Sequence, residues 1–250
     1  MQTNKTVYVQ RLGRMRYATA WDYQQTLLKE LVDRKRANRK IAADDPAYQA
    51  LHHYFLFCEH HPVYTLGKSG STANLLLDEA TLAARGIDYY PINRGGDITY
   101  HGPGQVVGYP ILDLDAFFTD VHRYVRSLEE IVIRTLHDFG LEAIRLKDFT
   151  GVWIPPYDES EPYRKICAIG VHLSRWCTLH GFALNVNTEL DYFTHIVPCG
   201  IADSNKTVTS LAVELGEEVP LPEVQDRLLH HFGAIFEGHL VPSTPNAALL

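Results

Sequence analysis

No run of about 18 or more apolar residues occurs in the 250-residue chain, so no membrane-spanning helix is expected. The segment Met1-Gln2-Thr3-Asn4-Lys5 leads straight into the strand-like Val7-Tyr8-Val9, without the apolar core of a signal peptide, and a cytoplasmic location is the resulting expectation. There is no internal repeat and no low-complexity stretch. Positive charge is not in surplus: 23 Lys and Arg stand against 30 Asp and Glu, a net charge of -7, which argues against a nucleic-acid partner. Cysteine is scarce, with only Cys58, Cys167, Cys177 and Cys199, and in a reducing compartment these are expected to be buried, reactive or metal-bound rather than disulfide-linked. No Gly-Lys-Ser/Thr follows the one glycine-rich segment, which excludes a phosphate loop. No Gly-x-Ser-x-Gly elbow is present, which excludes a serine hydrolase of that type. The row Cys58-Glu59-His60-His61, preceded by His52-His53, lacks the paired spacing of a zinc site, and no metal is expected there.

What is present is enough apolar residue, 46% of the chain, for one sizeable core. Ala20, Tyr23, Leu27 and Leu31 recur at helical spacing and predict a helix over residues 17–40. Tyr54-Phe55-Leu56-Phe57-Cys58 reads as a buried strand, and Pro62 to Gly67 as a second short extended piece. Residues 78–85 read as a short helix with Asp78 as N-cap and Gly86 as its stop. Ile87 to Ile92 reads as a strand. Residues 93–105 read as a polar, glycine-rich loop that leads into an apolar strand, Val106 to Leu112. A clear amphipathic helix covers residues 120–139 and stops at Gly140. Thr150 to Ile154 is a strand, and the acidic, proline-rich stretch Pro155 to Pro162 a loop. Lys165 to Leu173 and Thr178 to Val186 predict a hairpin. A loop over 187–205 precedes helices at 208–215 and 221–236, which together suggest a small C-terminal lobe. This mixture without strict alternation predicts a mixed α/β (α+β) fold, a central mixed sheet flanked by helices. Residues 1–241 read as one domain and 242–250 as a flexible tail.

Two residues have the chemistry of a nucleophile and its partner. Cys199 sits in Val197-Pro198-Cys199-Gly200-Ile201, where proline and glycine fix a turn and leave little bulk around the sulfur. By residue type alone such a loop cysteine is more often inert. Lys165 opens a strand on which Cys167, Ile169 and Val171 share its face, an unusual place for an ammonium unless it has a partner. The plainer reading is a strand-end lysine that reaches solvent. Cys167 is a competing nucleophile on the same face, ranked below Cys199 because it lies within an apolar strand. The segment Arg94-Gly95-Gly96-Asp97 lets backbone approach a ligand closely and reads either as a channel wall or as a long structural turn.

Five segments, taken in order, resemble the lipoyl(octanoyl) transferase family. They are Glu59-His60-His61-Pro62-Val63-Tyr64-Thr65-Leu66-Gly67; Arg94-Gly95-Gly96-Asp97-Ile98-Thr99-Tyr100-His101-Gly102-Pro103-Gly104-Gln105; Lys165-Ile166-Cys167-Ala168-Ile169-Gly170-Val171; His180-Gly181-Phe182-Ala183-Leu184-Asn185-Val186; and Pro198-Cys199-Gly200-Ile201. The resemblance spans roughly residues 7–235 and keeps the family's spacing between Lys165 and Cys199. It implies the catalytic fold shared by lipoate and biotin protein ligases. It also implies an acyltransferase that takes octanoyl from the phosphopantetheine thioester of acyl carrier protein and passes it to a specific lysine of a lipoyl domain. The implied acceptors include 2-oxoacid dehydrogenases and the glycine-cleavage H protein. Cys199 and Lys165 would be catalytic. Arg94, Gly95, Gly96, Asp97, Ile98, Thr99, Tyr100, His101, Ala168, Ile169, Gly170, Gly181, Phe182 and Ala183 would bind substrate. No cofactor is implied beyond the phosphopantetheine that the donor carries.

Two alternatives remain open: an ATP-dependent lipoate or biotin ligase on the same fold, and a non-catalytic acyl-binding module. The basic run Lys29, Arg34, Lys35, Arg36, Arg39 and Lys40 is either a solvated helix face or a dock for an acidic carrier protein.

Overall fold

The structure is a computed structural model that describes residues 4–197 and 205–250. In chain order it contains β1 (Thr6–Met15), α1 (Tyr17–Ala37), β2 (His53–His60), β3 (Val63–Leu66), α2 (Glu79–Arg85), β4 (Asp88–Pro91), β5 (Ile98–His101) and β6 (Gln105–Ile111). These are followed by α3 (Val121–Asp138), β7 (Ile144–Leu146), β8 (Phe149–Ile154), β9 (Tyr163–Ser174), β10 (Cys177–Asn185), β11 (Lys206–Val208), α4 (Leu211–Leu215), α5 (Leu221–Phe236) and β12 (His239–Pro242).

The large sheet runs β12-β1-β2-β6-β10-β9-β8-β7, with β11 added alongside β9. It is mixed: β1 is parallel to both β2 and β12, whereas β2, β6, β10, β9 and β8 pair antiparallel in succession. Every residue of β6 and of β10 is buried, as expected of strands covered on both faces. A second sheet, β4-β3-β5, stands apart from it.

Apolar spacing explains the layers. Tyr124, Leu128, Ile131, Val132 and Leu136 form one stripe of α3 and meet Val224, Leu228, Phe232 and Phe236 of α5 over Phe55, Phe57 and Leu184 of the sheet. On the other face Ala20, Tyr23, Leu27 and Leu31 of α1 pack on Leu56, Val107, Tyr109 and Ile111. The small sheet has its own core, in which Tyr64, Ile98 and Tyr100 meet Leu82 of α2 and Phe193. The helix boundaries follow local chemistry: Asp120 caps α3 by accepting the Arg123 N–H, Asp78 caps α2 by accepting the Thr81 N–H, and Gly86 closes α2 at φ +66°.

The fold class read from the sequence holds, and four details change. The segment read as a loop before β6 contains β5, because Ile98–His101 pairs antiparallel with β3. The helix expected from residue 208 begins at Leu211, and the residues before it form β11. The last two helices are not a separate lobe, since α5 belongs to the main core. The chain beyond residue 241 is held in place: Pro242 completes β12, the Ser243 N–H donates to the Val9 carbonyl at 2.8 Å, and the Asn246 N–H reaches the Tyr23 hydroxyl. No helix among the described residues is long and apolar enough to cross a membrane.

Candidate active site

The β9–β10 hairpin places two of the sequence motifs at one wall. Its antiparallel register sets Ala168 opposite Ala183, Ile169 opposite Phe182 and Gly170 opposite Gly181. The Arg94–Gly96 loop lies across this hairpin, where the Gly95 N–H donates to the Val171 carbonyl at 3.0 Å. Gly170 makes the approach possible, because a Cβ there would stand 2.8 Å from the Gly95 carbonyl oxygen. Between loop and hairpin lies a cavity of about 420 Å³.

Arg94 through Thr99, His101, Lys165, Ala168 through Gly170, and Gly181 through Ala183 all border this cavity. Tyr100 does not. Its ring turns into the small-sheet core and stacks on Tyr192 at 4.6 Å, 7° from parallel. Tyr17, His180, Val121, Val125 and Phe149 also border the cavity and were not among the residues read as binding. Val121 and Val125 are simply apolar helix positions in the sequence, and only the packing of α3 beside β8 exposes them to a void. His180 opens a recognised motif, but its backbone φ of +60° has no sequence signal.

Arg94 is buried and binds the protein itself. Its guanidinium donates to the Thr65 carbonyl at 2.5 Å, to the Thr65 hydroxyl at 3.0 Å and to the Gly95 carbonyl at 3.0 Å. Asp97 is equally structural: one carboxylate oxygen accepts the Ile98 N–H at 2.7 Å and the other accepts the Asn74 amide at 2.5 Å.

From Arg94 a continuous polar chain crosses the molecule. The Thr65 hydroxyl lies 3.3 Å from His101 Nε2, and His101 Nδ1 lies 2.9 Å from Gln105 Oε1. The Gln105 amide nitrogen donates to the Tyr100 carbonyl and to Asn185 Oδ1, which leaves its oxygen to accept from His101 Nδ1–H. His101 is therefore assigned the Nδ1–H tautomer, with Nε2 as acceptor of the Thr65 hydroxyl. Asn185 donates to the Thr209 carbonyl, and the Thr209 N–H donates to the Lys165 carbonyl at 3.0 Å. Burial, reinforced by His60 and Arg94, holds the His101 pKa well below the usual imidazole range, which fits the neutral ring that the chain requires.

Lys165 lies near the start of β9, half-buried. Its cross-strand partner is Trp153, and its Nζ stands 5.0 Å from the centroid of that ring. Cys167 is fully buried two residues on, and burial pushes its thiol up, an effect that the nearby Lys165 only partly offsets. Burial also raises Cys58 strongly and pushes Cys177 up to about 12. The row Cys58–His61 divides. Cys58 and His60 turn inward and meet at 3.3 Å, His60 Nε2 lies 2.8 Å from the Tyr109 hydroxyl, and His61 lies at the surface. Burial lowers the His60 pKa to about 4. No group of three or more His, Cys, Asp or Glu that could hold a metal occurs among the described residues.

Cys199 lies outside the described residues, as does the rest of its motif. The chain on either side of them is tied to the same wall. The Val197 N–H donates to the Asn74 carbonyl at 2.8 Å, next to the Asn74–Asp97 contact. The Asn205 carbonyl accepts the Tyr163 N–H at 2.9 Å, and β11 then runs parallel to β9, with Val208 beside Lys165.

Residues 16–233 match the lipoyl protein ligase A/B catalytic domain. The chain belongs to that family. An octanoyltransferase of Christiangramia forsetii is 56% identical over 239 residues, which are 95% of this chain and 98% of the relative. An octanoyltransferase of Cytophaga hutchinsonii is 52% identical over 242 residues, 97% of either chain. Among solved structures, the bipartite lipoate protein ligase of an archaeal lipoylation system from Thermoplasma acidophilum superposes with a TM-score of 0.72 at 17% identity, over 98% of this chain and 89% of that one. A lipoate-protein ligase A bound with ATP superposes at 0.71, also at 17% identity, over 98% of this chain and 91% of that one. At that identity the two structures speak for the fold, and the family assignment rests on the sequence relatives.

Proposed function

We propose that the protein is an acyltransferase that moves an octanoyl group from acyl carrier protein to a lysine of a lipoyl domain, through a thioester on Cys199. The observation that carries this reading is the wall of the cavity. It sets Lys165 beside small residues and apolar side chains, and it anchors both flanks of the segment that holds Cys199. An octanoyl chain buried there gains up to roughly 0.8 kcal/mol per methylene.

In this reading the Cys199 thiolate attacks the thioester carbonyl of the donor. The carbon–sulfur bond to phosphopantetheine breaks, and the departing thiolate takes a proton from the Lys165 ammonium. The acyl-enzyme keeps its transfer potential because one thioester has replaced another. The acceptor lysine then attacks as a free amine, the bond to Cys199 breaks, and Lys165 takes up the proton that the amine loses. One lysine thus serves as acid in the first half and as base in the second, and the pair titrates as a unit. Arg94, Asp97 and His101 hold the walls and exchange no proton with substrate. The reading needs no resident cofactor or metal and assigns the protein to the cytoplasm.

The donor is an acidic protein carrying its acyl group on a flexible arm. Half of the basic run that starts on α1 is engaged internally: Lys29 pairs with Asp33, Arg34 donates to the Ala50 carbonyl, and Lys35 pairs with Asp113 and Asp115. Arg36, Arg39 and Lys40 remain exposed for a carrier to meet.

Intact-mass measurement after mixing with octanoyl-acyl carrier protein, without ATP, tests the proposal. The expected result is one octanoyl adduct that survives Cys167→Ser and disappears in Cys199→Ser. An absent adduct on the wild-type chain overturns it, and a strict need for ATP favours a ligase.

A further inference from the structure

The partner of Lys165 across the sheet is unusual in three ways. First, Trp153 reaches that position through a strand irregularity. Val152 pairs with Cys167, yet Trp153 pairs with Lys165 rather than with Ile166, so a register shift falls between Val152 and Trp153. The shift follows Gly151, whose φ of +123° favours glycine. A Cβ on Gly151 would stand 2.5 Å from the Cys167 carbonyl oxygen and 2.9 Å from Lys165 Cε, so the lysine stem occupies the space that glycine leaves. Second, the irregularity is pinned. The Gly151 N–H donates at 3.0 Å to the fully buried Glu129, whose other oxygen binds Arg126 at 2.7 Å and Arg145 at 3.1 Å. Third, the indole N–H of Trp153 is buried with no acceptor among the described residues. An unmet buried donor costs about 1–3 kcal/mol, a penalty that phenylalanine or leucine would avoid at the same place. Core packing alone therefore does not favour tryptophan. Its distinctive contribution is the large electron-rich face that it turns to Lys165 Nζ, 5.0 Å from the ring centroid.

We infer that Trp153 is a positioning residue for Lys165, holding the ammonium over its indole face and so fixing both where the lysine points and how readily it gives up its proton. Phe149 meets the indole edge-on at 6.2 Å and carries Lys206 on its own ring at 4.5 Å, which keeps that second cation off the Trp153 face. Further titratable groups near this lysine among the described residues are Cys167 on β9, Glu129 behind Gly151 and Asp148, which borders the same cavity. Of these, Glu129 is already bound by Arg126 and Arg145, and Cys167 stays a thiol. The inference deepens the proposed Cys199–Lys165 reaction and rests on that reading for its catalytic meaning.

Reductive methylation with ¹³C-formaldehyde gives every lysine a dimethyl probe that keeps its charge, and the Lys165→Arg variant assigns the Lys165 signal. In the wild-type chain that signal is expected upfield of the surface lysines, shifted by the indole ring current. In Trp153→Leu the shift disappears, and the pH at which the signal titrates falls by roughly half a unit to one and a half units. Trp153→Phe keeps an intermediate shift and midpoint. An unshifted wild-type signal overturns the inference even if Trp153→Leu fails to fold. So does an unchanged midpoint in a Trp153→Leu chain that melts cooperatively. The octanoyl adduct is followed in parallel on unmethylated protein. Loss of the adduct from the wild-type chain, with the methyl shift intact, would sink the reaction and leave the placement of Lys165 standing.

Discussion

Gly170 and Gly95 meet backbone to backbone: a Cβ at position 170 would stand 2.8 Å from the Gly95 carbonyl oxygen and 3.0 Å from Arg94 Cδ. Those atoms belong to a loop that is fixed on its far side by Arg94, Asp97 and Asn74, so it has little freedom to retreat. One methyl group placed there displaces the loop that closes the cavity. Gly170→Ala is expected to lower kcat/KM for octanoyl transfer by about 10- to 100-fold, the equivalent of the ~1–3 kcal/mol that overpacking costs. Steady-state kinetics beside a thermal melt check this, and a variant with native kinetics would refute the tight contact.

Three histidines, two of which line the cavity, are buried as neutral rings. Burial lowers His60 to about 4 and His180 to about 3, and it holds His101 well below the usual range. The unfolded chain takes up these protons near pH ~6.5 and the folded chain does not, so stability falls as pH falls below that value. The loss continues until the folded rings themselves protonate, near 4 for His60 and 3 for His180. Each ring contributes a slope of up to ~1.4 kcal/mol per pH unit. Urea unfolding at pH 7, 6 and 5 is expected to show the decline, with a shallower slope in His60→Asn. A flat profile over that range would contradict the neutral burial.

Thiol chemistry separates the four cysteines. Cys58, Cys167 and Cys177 are buried, and burial raises all three thiols. A protonated, inaccessible thiol does not react with disulfide reagents. Native protein at pH 7.5 (a working pH of roughly that value suits the reagent) is therefore expected to release about one equivalent of thionitrobenzoate rapidly, and none in Cys199→Ser. Fast labelling of a second cysteine in the folded chain would count against the burial of these three.

Glu129 is a buried carboxylate that accepts from the Gly151 N–H, from Arg126 and from Arg145, the last of which also pairs with Glu130. Glu129→Ala strands the Gly151 donor and releases the partly exposed Arg126 guanidinium, while Arg145 keeps Glu130, a loss of about 2–4 kcal/mol. Glu129→Gln keeps the shape and one acceptor and is expected to lose about half as much. Denaturant midpoints for the two variants decide it, and equal stability of wild type and Glu129→Ala would refute the anchoring role.

What could be read from the sequence was what local chemistry determines. The helix at 79–85 follows from Asp78 and Gly86, and the β9–β10 hairpin from two apolar runs around a short break. The features that escaped are set by distant partners. β5 and β11 are short and polar in part, and each becomes a strand only because β3 or β9 offers it a free edge. Tyr100 sits within the motif read as ligand-binding yet faces the small-sheet core, because strand alternation turns it away from His101. The motif order located Arg94, but only the structure shows its two terminal guanidinium nitrogens bonded to Thr65 and Gly95.

The strand order has one more consequence, for biosynthesis. β1 is flanked by β2 on one side and by β12 on the other, and the latter register joins Thr6 to His239. A growing chain exposes the outer edge of β1 as that strand emerges and covers it only after residue 239 has followed. Such a long-range parallel pairing closes slowly. In the interval an unpaired apolar edge is open to wrong partners. Premature termination or clipping before residue 239 would therefore leave the cavity walls encoded in full while making the chain prone to aggregate.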